Sequence, residues 1–561
     1  MSSALEKEIG KIELLVYEGK LKEAHKRTKE LLKKDNLTKE IELQIVVIQS
    51  EILTYFAKYP DSLKLSEKVL NESEAIDNNL LKADAYLQQA LSLYNLGKFK
   101  ESQEASIKGL ELIEDAEKYD LKHVAQTKIL LLASQGTLAL EFGDFPKGLE
   151  LFKAAYKCAL DTKLDYLIAF ATGLLGQGTY ITGEYEKGEK YVDSAMEIAQ
   201  SIGKHLFLLY TYFTYATVKQ LVRKFDTALE YHQKGIEFSM ETGAKIILYI
   251  FYSHSALIYS SRYNLDKALE YNNLALEVVP TGKYILLQNT GSIYLMKNEI
   301  EKAHEYFQNG LANSRKTGEI RVRPGIIYHL VLTSLLKKDL EQAEKYLLEL
   351  DALGLESDYK QITQYQQLAK ILILKESTRI QDWFEAIEIL EKLLADEKLH
   401  ISTRIDALFH LVEIRLKELQ VTADQEILTE VKKQIEIIQE HAEENKQFNL
   451  LANLYRLKSQ LALVELDAKK AVELLITAKT LAEEKNLQMI ASNIREEQAK
   501  LDQQQNMWNR LTEQKAPLKD TLKEVHLDNR AKQLANETIV EVRDERTGDV
   551  IEYRKLFALK I

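Results

Sequence analysis

The sequence predicts an all-α solenoid of about twelve helix pairs, and three observations carry that reading. A small residue returns every 40 positions at Gly148, Gly188, Ala228 and Ala268. Two more small-residue tracks run in phase with it, Gly136, Gly176, Ala216 and Ala256 upstream and Ala155, Ala195, Gly235 and Ala275 downstream. The composition is 45% hydrophobic with only 22 Gly and 5 Pro in 561 residues, rich enough for continuous burial and too poor in breakers for a turn-dense β fold. Self-similarity at a period of about 20–50 residues marks an array whose units bury their apolar faces against one another.

Each unit reads as two amphipathic helices joined by a tight turn. Gly19 and Gly97 open two of these turns, and the segments Gly143 to Gly148 and Gly183 to Gly188 show the full pattern. Glycine closes the first helix in a left-handed conformation, and a large apolar residue two positions on tucks beneath the turn. Asn298 takes the same place, whereas Arg223 and Tyr263 predict a different or strained turn. Counting from the small residue five positions past each turn, units fall at Ala24, Ser66, Ser102, Gly148, Gly188, Ala228, Ala268, Ala303, Ala343, Ala386 and Ala471. The 85-residue gap after Ala386 is filled by a further pair over 400–445, with a degenerate second half around Leu428. Helices approach to about 8–10 Å only where side chains are small, so the small positions of one pair are expected to face those of its neighbour.

The array is expected over residues 1–485 and a polar-rich capping helix over 486–515. In the extension, residues 516–561, Pro517 breaks the run and a short helix follows to Leu534. Alternating stretches at 538–543 and 550–557 around Thr547-Gly548-Asp549 then read as a β-hairpin. A lone hairpin is marginal in water, so this one should dock on its own array, a second copy or another protein.

The net charge of −11, from 86 acidic and 75 basic residues, is dispersed along the chain. Nucleic acid is disfavoured, because polyanion binding needs clustered Lys and Arg. The first residues lack a signal-peptide core, and the most apolar long window, Tyr166 to Gly183, holds Thr172, Gln177 and several glycines. It reads as a buried helix, with no membrane span, and the expected location is cytoplasmic. A single cysteine, Cys158, excludes an intrachain disulfide framework and a multi-cysteine metal site.

No phosphate loop, dinucleotide fingerprint, zinc-protease or nucleophile-elbow motif is present, so the chain reads as non-enzymatic, without cofactor or metal. Gly173, Gly176 and Gly178 sit inside a helical pattern in phase with the repeat, which favours helix packing over a phosphate cradle. Cys158 reads as a buried, inert thiol and His254 as a packed helix residue. The eleven histidines never pair at ligand spacing on one helix face.

These units resemble tetratricopeptide repeats. Gly291, Tyr294, Ala303, Phe307 and Gly310 match all five positions of the family's small and aromatic pattern. Ala256, Tyr259, Ala268 and Ala275 match four with Asn272 departing, and Gly136, Gly148, Phe152 and Ala155 match four with Ala139 departing. The usual tryptophan of the fourth position is replaced by Tyr212 and Tyr252, and the unit length near 40 resembles the long-helix, MalT-like variety. The resemblance implies a right-handed superhelical solenoid with a concave surface lined here by Tyr94, Tyr180, Tyr210, Phe213, Leu257, Gln288 and Leu295.

Tyrosine and phenylalanine there offer large rigid contact area, although the same rings also suit packing between helices. The lysine and asparagine clamp of chaperone-tail repeats is missing, its places being held by Gly173, Gln177, Phe213, Thr217, Ser253 and Leu257. The implied function is a non-catalytic scaffold whose groove binds an apolar or aromatic segment of a protein partner, extended or helical. Two alternatives are a ligand- or peptide-responsive sensor of MalT-like type and a homo-oligomer assembled through the hairpin edge.

Overall fold

The computed structural model describes residues 2–555 except 35–36, 114–118, 142–143, 223, 263, 279–282, 318–319, 321, 357–359, 378, 397–400, 445–447, 486, 526–538 and 544–549. The chain forms two compact units, Met1–Asn289 with Asn313–Glu319 and Arg543–Ile551, and Thr290–Ala312 with Ile320–Val542 and Glu552–Ile561. The described residues hold α1 (Ser2–Tyr17), α2 (Leu21–Leu31), α3 (Lys39–Tyr55), α4 (Tyr59–Glu72), α5 (Asn79–Asn95), α6 (Phe99–Glu111), α7 (Leu121–Glu141), α8 (Phe145–Thr162) and α9 (Asp165–Ile181). These are followed by α10 (Tyr185–Ile202), α11 (Leu208–Leu221), α12 (Phe225–Thr242), α13 (Lys245–Ser261), α14 (Leu265–Val278), α15 (Tyr284–Met296), α16 (Ile300–Thr317), α17 (Arg323–Leu336) and α18 (Leu340–Glu356). The last helices are α19 (Lys360–Glu376), α20 (Ile380–Leu394), α21 (Ile401–Thr422), α22 (Gln425–Glu444), α23 (Phe448–Val464), α24 (Ala468–Glu484), α25 (Gln488–Gln503), α26 (Gln505–Glu513) and α27 (Leu518–Val525). Two short strands, β1 (Ile539–Arg543) and β2 (Val550–Lys555), pair with each other. The expected turn between them and the helix reaching Leu534 fall outside the described residues.

The first helices of successive pairs end alike. Gly19, Gly97 and Gly183 have φ of 75°, 78° and 96°, and Asn298 has 62°. The amide after each donates five residues back, Lys20 to Leu15 O, Lys98 to Leu93 O, Glu184 to Thr179 O and Glu299 to Tyr294 O, at 2.8–3.1 Å. Those bonds satisfy carbonyls that a helix end otherwise leaves open. Gly143, Arg223 and Tyr263 fall outside the described residues, yet the same bond joins Asp144 to Ala139 O, Lys224 to Lys219 O and Asn264 to Tyr259 O at 2.8–2.9 Å. The flanking amides at Arg223 and Tyr263 therefore follow the common scheme and not a different one. Ala57, Lys338 and Leu466 also take positive φ, without a glycine or asparagine to announce it.

The small-residue tracks work differently from the expectation. A Cβ added to Gly188 would lie 2.8 Å from Gly176 O and 2.6 Å from Tyr180 N, and one added to Gly148 would lie 3.2 Å from Gly136 O. These positions let the two helices of the same pair touch. Where serine stands at this contact, its hydroxyl bridges the gap, Ser62 Oγ to Ser50 O at 2.9 Å, Ser102 Oγ to Ala90 O at 2.8 Å and Ser459 Oγ to Ala471 O at 2.9 Å. The third track serves the next pair, because it lies on the face of the second helix that meets the following first helix. Gly235 receives the Phe251 ring, whose atoms would lie 2.2–2.6 Å from an added Cβ, and Gly109 receives Leu131.

The glycines of α9 face three neighbours, Gly173 toward Thr214 of α11, Gly176 toward Val192 of α10 and Gly178 toward Phe152 of α8. Asn272, the departure from the family pattern, is buried and donates from Nδ2 to Leu286 O at 2.8 Å, so it stitches α14 to α15.

First helices also touch one another. In the first unit α3, α5, α7, α9, α11 and α13 contact in succession, and α13 contacts α3. This inner layer is a closed ring. The buried apolar residues Ile12 and Val16 of α1, Ile45 and Ile52 of α3, and Ile247, Leu248 and Phe251 of α13 belong to one core, which is the burial that holds the ring shut.

In the second unit Lys375 of α19 is buried and reaches Glu413 of α21 at 2.6 Å and His410 Nδ1 at 3.2 Å. Arg456 of α23 is fully buried between Glu497 and Asn453. The cap is not one helix: the chain breaks at Gln504 between α25 and α26, which lets Trp508 turn back onto Ala478, Ala482 and Leu501. Thr521 of α27 donates to Val464 O at 3.1 Å.

Gly235→Ala should destabilise the protein by about 1–3 kcal/mol in urea denaturation, because the Phe251 ring has no room to yield. Lys375→Met should cost about 3–5 kcal/mol by leaving Glu413 buried without a counter-charge. Burial raises the Glu413 carboxyl, but the Lys375 ammonium and His410 outweigh it and hold the group at about 2, below its ordinary 4.5; burial first, and then Lys375, depress His410 below 6.5. Both native-state values lie below the unfolded ones, so the stability these groups add is complete above about pH 6.5 and is lost as pH falls toward 2. Thermal melts over that window should show the loss, with the carboxylate part weakened in the Lys375 variant.

Candidate binding site

The inner face of the ring carries chemistry as well as packing. Glu13 and Tyr17 come from α1, Glu51 and Tyr55 from α3, Asp84 from α5, His123 and Gln126 from α7, Tyr166 from α9 and Tyr210 from α11. His123 Nε2 stands 2.9 Å from Asp84 Oδ2, and Thr127 donates to Asp84 Oδ1 at 2.6 Å. The Asp84 charge, against the opposing effect of burial, holds His123 at about 9, so it is protonated at neutral pH. His123 keeps 40% of its side-chain surface exposed.

Glu51 is the anomaly of this face. It has no hydrogen-bond or ion-pair partner among the described residues. Burial first, and then the charges of Asp84 and Glu13, push its carboxyl up to about 7, with His123 opposing. Burial also raises Glu13. Tyr17 and Tyr55 are raised by burial, and Tyr210 is pushed up to about 12 for the same reason while hydrogen-bonding Tyr55.

Where α1 meets the ring, Leu206 N–H donates to Tyr17 O at 2.7 Å. Gln126 Nε2 donates to Tyr17 Oη at 2.8 Å, and Tyr166 Oη donates to Gln126 Oε1 at 3.0 Å. The His205 ring packs on both Tyr17 and Tyr166, at centroid distances of 5.8 and 4.3 Å, and the two tyrosine rings themselves stack at 6.4 Å. Burial lowers His205 to about 4, so the stack is neutral at pH 7.

Of the residues expected on the concave surface, Tyr210 hydrogen-bonds Tyr55 and so joins this group, while Phe213 of α11 packs against α13. Tyr210 packs on Phe170 and Phe207, and Phe213 packs edge-on to His254 at 5.1 Å. Tyr94 packs across its own turn on Phe99, and Tyr180 on Tyr185. Leu257 is core in the first unit and Leu295 in the second, while Gln288 is half-buried on α15. His254 is packed, and burial lowers it to about 4. The Cys158 thiol is raised, chiefly by burial, which disfavours the reactive thiolate.

The carboxylates, His123, Tyr17, Tyr55 and Tyr166 were not anticipated. One signal was available: Glu51 is the one charged residue from Ile45 to Tyr55. Among the described residues no group of three His, Cys, Asp or Glu is placed to hold a metal ion, and no helix is long and apolar enough to cross a membrane.

Residues 167–241 match the tetratricopeptide repeat family model. None of the curated proteins compared with the chain matches it in sequence. Among solved structures it is similar to the apo form of the quorum sensor NprR from B. thuringiensis, at 14% identity over 70% of this chain and 99% of that one, with a TM-score of 0.45. A signal transduction ATPase with a tetratricopeptide repeat sensor from Pyrococcus horikoshii is similar at 17% identity over 66% and 56%, with a TM-score of 0.43. Yeast Tom70 is similar at 14% identity over 88% and 99%, with a TM-score of 0.36. The matched segment runs from α9 to α12, where the small-residue period is strictest, and this segment carries the tetratricopeptide repeat.

Proposed function

We propose that the protein is a non-catalytic binding scaffold whose first unit takes a short apolar or aromatic segment of a partner against its inner wall. The supporting observation is the set of aromatic side chains that α1, α3, α9 and α11 bring there, Tyr17, Tyr55, Tyr166, Tyr210 and Phe213. Such rings give contact area at small entropic cost, with hydroxyls able to bond a peptide backbone. Because α13 meets α3, the first unit has a closed inner layer, which favours a short segment over a long helix laid along an open groove. We take α1–α24 as twelve repeats with the right-handed winding of the family, residues 1–485 as the array, 486–515 as its cap, and 516–561 with its hairpin as an appended extension.

Capture of randomised hexapeptides by the full chain, read by mass spectrometry, tests this reading. Tyr166→Ala combined with Phe213→Ala should reduce capture about tenfold or more while helicity by circular dichroism is kept. Undiminished capture would move the site elsewhere.

A second reading, a ligand-responsive sensor, is favoured by the small seam at Tyr17, Leu206 and His205, which could open or tighten with occupancy. Bound hexapeptide should then change hydrogen exchange at the Leu206 amide, and an unchanged rate with ligand bound counts against it.

A further inference from the structure

We propose that His232 of α12 and His254 of α13 form an acid-sensitive joint, whose protonation frees α13 from α3 and opens the closed inner layer of the first unit. His232 is fully buried, and its Nδ1 stands 3.2 Å from Ser255 Oγ of α13. Its Nε2 has no hydrogen-bond partner among the described residues, and neither has the buried Nδ1 of His254. The two rings meet edge to face at a centroid distance of 6.0 Å. Phe251 packs on His232 at 5.8 Å and Phe213 on His254 at 5.1 Å.

A neutral imidazole has one N–H and one bare nitrogen, so the Ser255 hydroxyl satisfies His232 at Nδ1 in either tautomer. A second proton changes that. It makes a cation with one N–H that finds no acceptor, set among aromatic rings and beside another imidazole, and a buried charge without a partner is costly. No carboxylate is among the groups that act on the pair: His254 acts on His232, and burial alone on His254. Charges of the neighbouring helices are engaged elsewhere, Lys219 of α11 with Glu189 and Asp193, and Lys234 of α12 with Glu230. Tyr212 and Tyr231 pack on each other at 5.7 Å, and the one other charged residue of α13 is Lys245 at its first position.

Phe251 carries the effect to the ring closure. It packs on His232, sits in the hollow of Gly235, and belongs to the core that joins Ile247 and Leu248 of α13 to Ile45 and Ile52 of α3. The hollow leaves the phenyl ring no room to step aside on α12, so hydration of a charged His232 is expected to push it off its seat and loosen α13 from α3. Both imidazoles are held below the ordinary 6.5 by burial, His254 at about 4. The native values lie below the unfolded one, so the stability that the pair adds is complete above about pH 6.5. It is lost as pH falls, by about tenfold in the folding equilibrium per pH unit and per group down to the native value.

Hydrogen exchange of the full chain, read by mass spectrometry at pH 7.5 and 5.0, tests the joint against the double variant His232→Gln with His254→Gln. Comparing the two chains at each pH cancels the intrinsic exchange rate and the titration of every other group. Between the two pH values, protection over residues 39–55 and 245–261 should fall at least tenfold more in the native chain than in the variant. An equal fall in both overturns the proposal. So does a fall confined to 225–261 that spares 39–55, because the ring then stays shut. Should the double variant fail to fold, His254→Gln alone, at a half-buried position, should remove at least threefold of the fall, and no difference from the native chain overturns the proposal. Histidine-selective NMR of the native chain gives a separate reading: His232 and His254 should both remain neutral at pH 5.5, and titration of either near 6.5 overturns the proposal.

Discussion

The contact on which the rest of this structure depends is the approach of two helices within each pair at residues twelve apart in sequence. At 136 and 148, and at 176 and 188, glycines bring backbone against backbone; at 50 and 62, 90 and 102, and 459 and 471, a serine hydroxyl spans the same place. A larger side chain there has no free volume to enter, and interiors packed to crystal-like density do not yield it. With the pair fixed so tightly, its outer faces become rigid surfaces. The next first helix then seats an aromatic ring in the hollow of Gly235 or a leucine in that of Gly109. Turn chemistry cooperates, because the five-residue bond after each first helix sets the reversal angle from one unit to the next.

Pairs stacked in this way bring the first helices α3, α5, α7, α9, α11 and α13 into contact with one another in the first unit. In the first unit the consequence is a closed inner layer, and closure changes the electrostatics of whatever faces it. Burial first, and then the charge of Asp84, raise the carboxyls of Glu51 and Glu13. The second unit handles the same problem internally, since Lys375 answers Glu413 and Arg456 answers Glu497.

Much of the fold was legible in the sequence because it is periodic. The helix pairs, the glycine turns and the left-handed Asn298 follow from local residue chemistry repeated in phase. The partner of each small position was not legible, since a period of 40 is compatible with contact inside a pair or between pairs, and only geometry decides. Tyr210 and Phe213 fall on a first helix, α11, as their positions in the unit indicated. Leu257 and Leu295 occupy comparable positions yet pack as core. The approach of α3 to α13, about 200 residues apart in the chain, leaves no periodic trace. Everything that depends on it, including the seam at Tyr17 and Leu206, was therefore out of reach, although Glu51, the one charged residue from Ile45 to Tyr55, was a usable hint.

Closure of the inner layer is thus the central claim, and one covalent measurement reaches it directly. A Cβ at Gly19 would lie 3.4 Å from Thr242 Cβ, close to the usual spacing of a disulfide. In a Cys158→Ser background, Gly19→Cys with Thr242→Cys should form an intramolecular disulfide on mild oxidation, seen as one crosslinked peptide pair in a non-reducing digest of the monomer. Two free thiols, or a link found only between separate molecules, would mean that the ring does not close in solution.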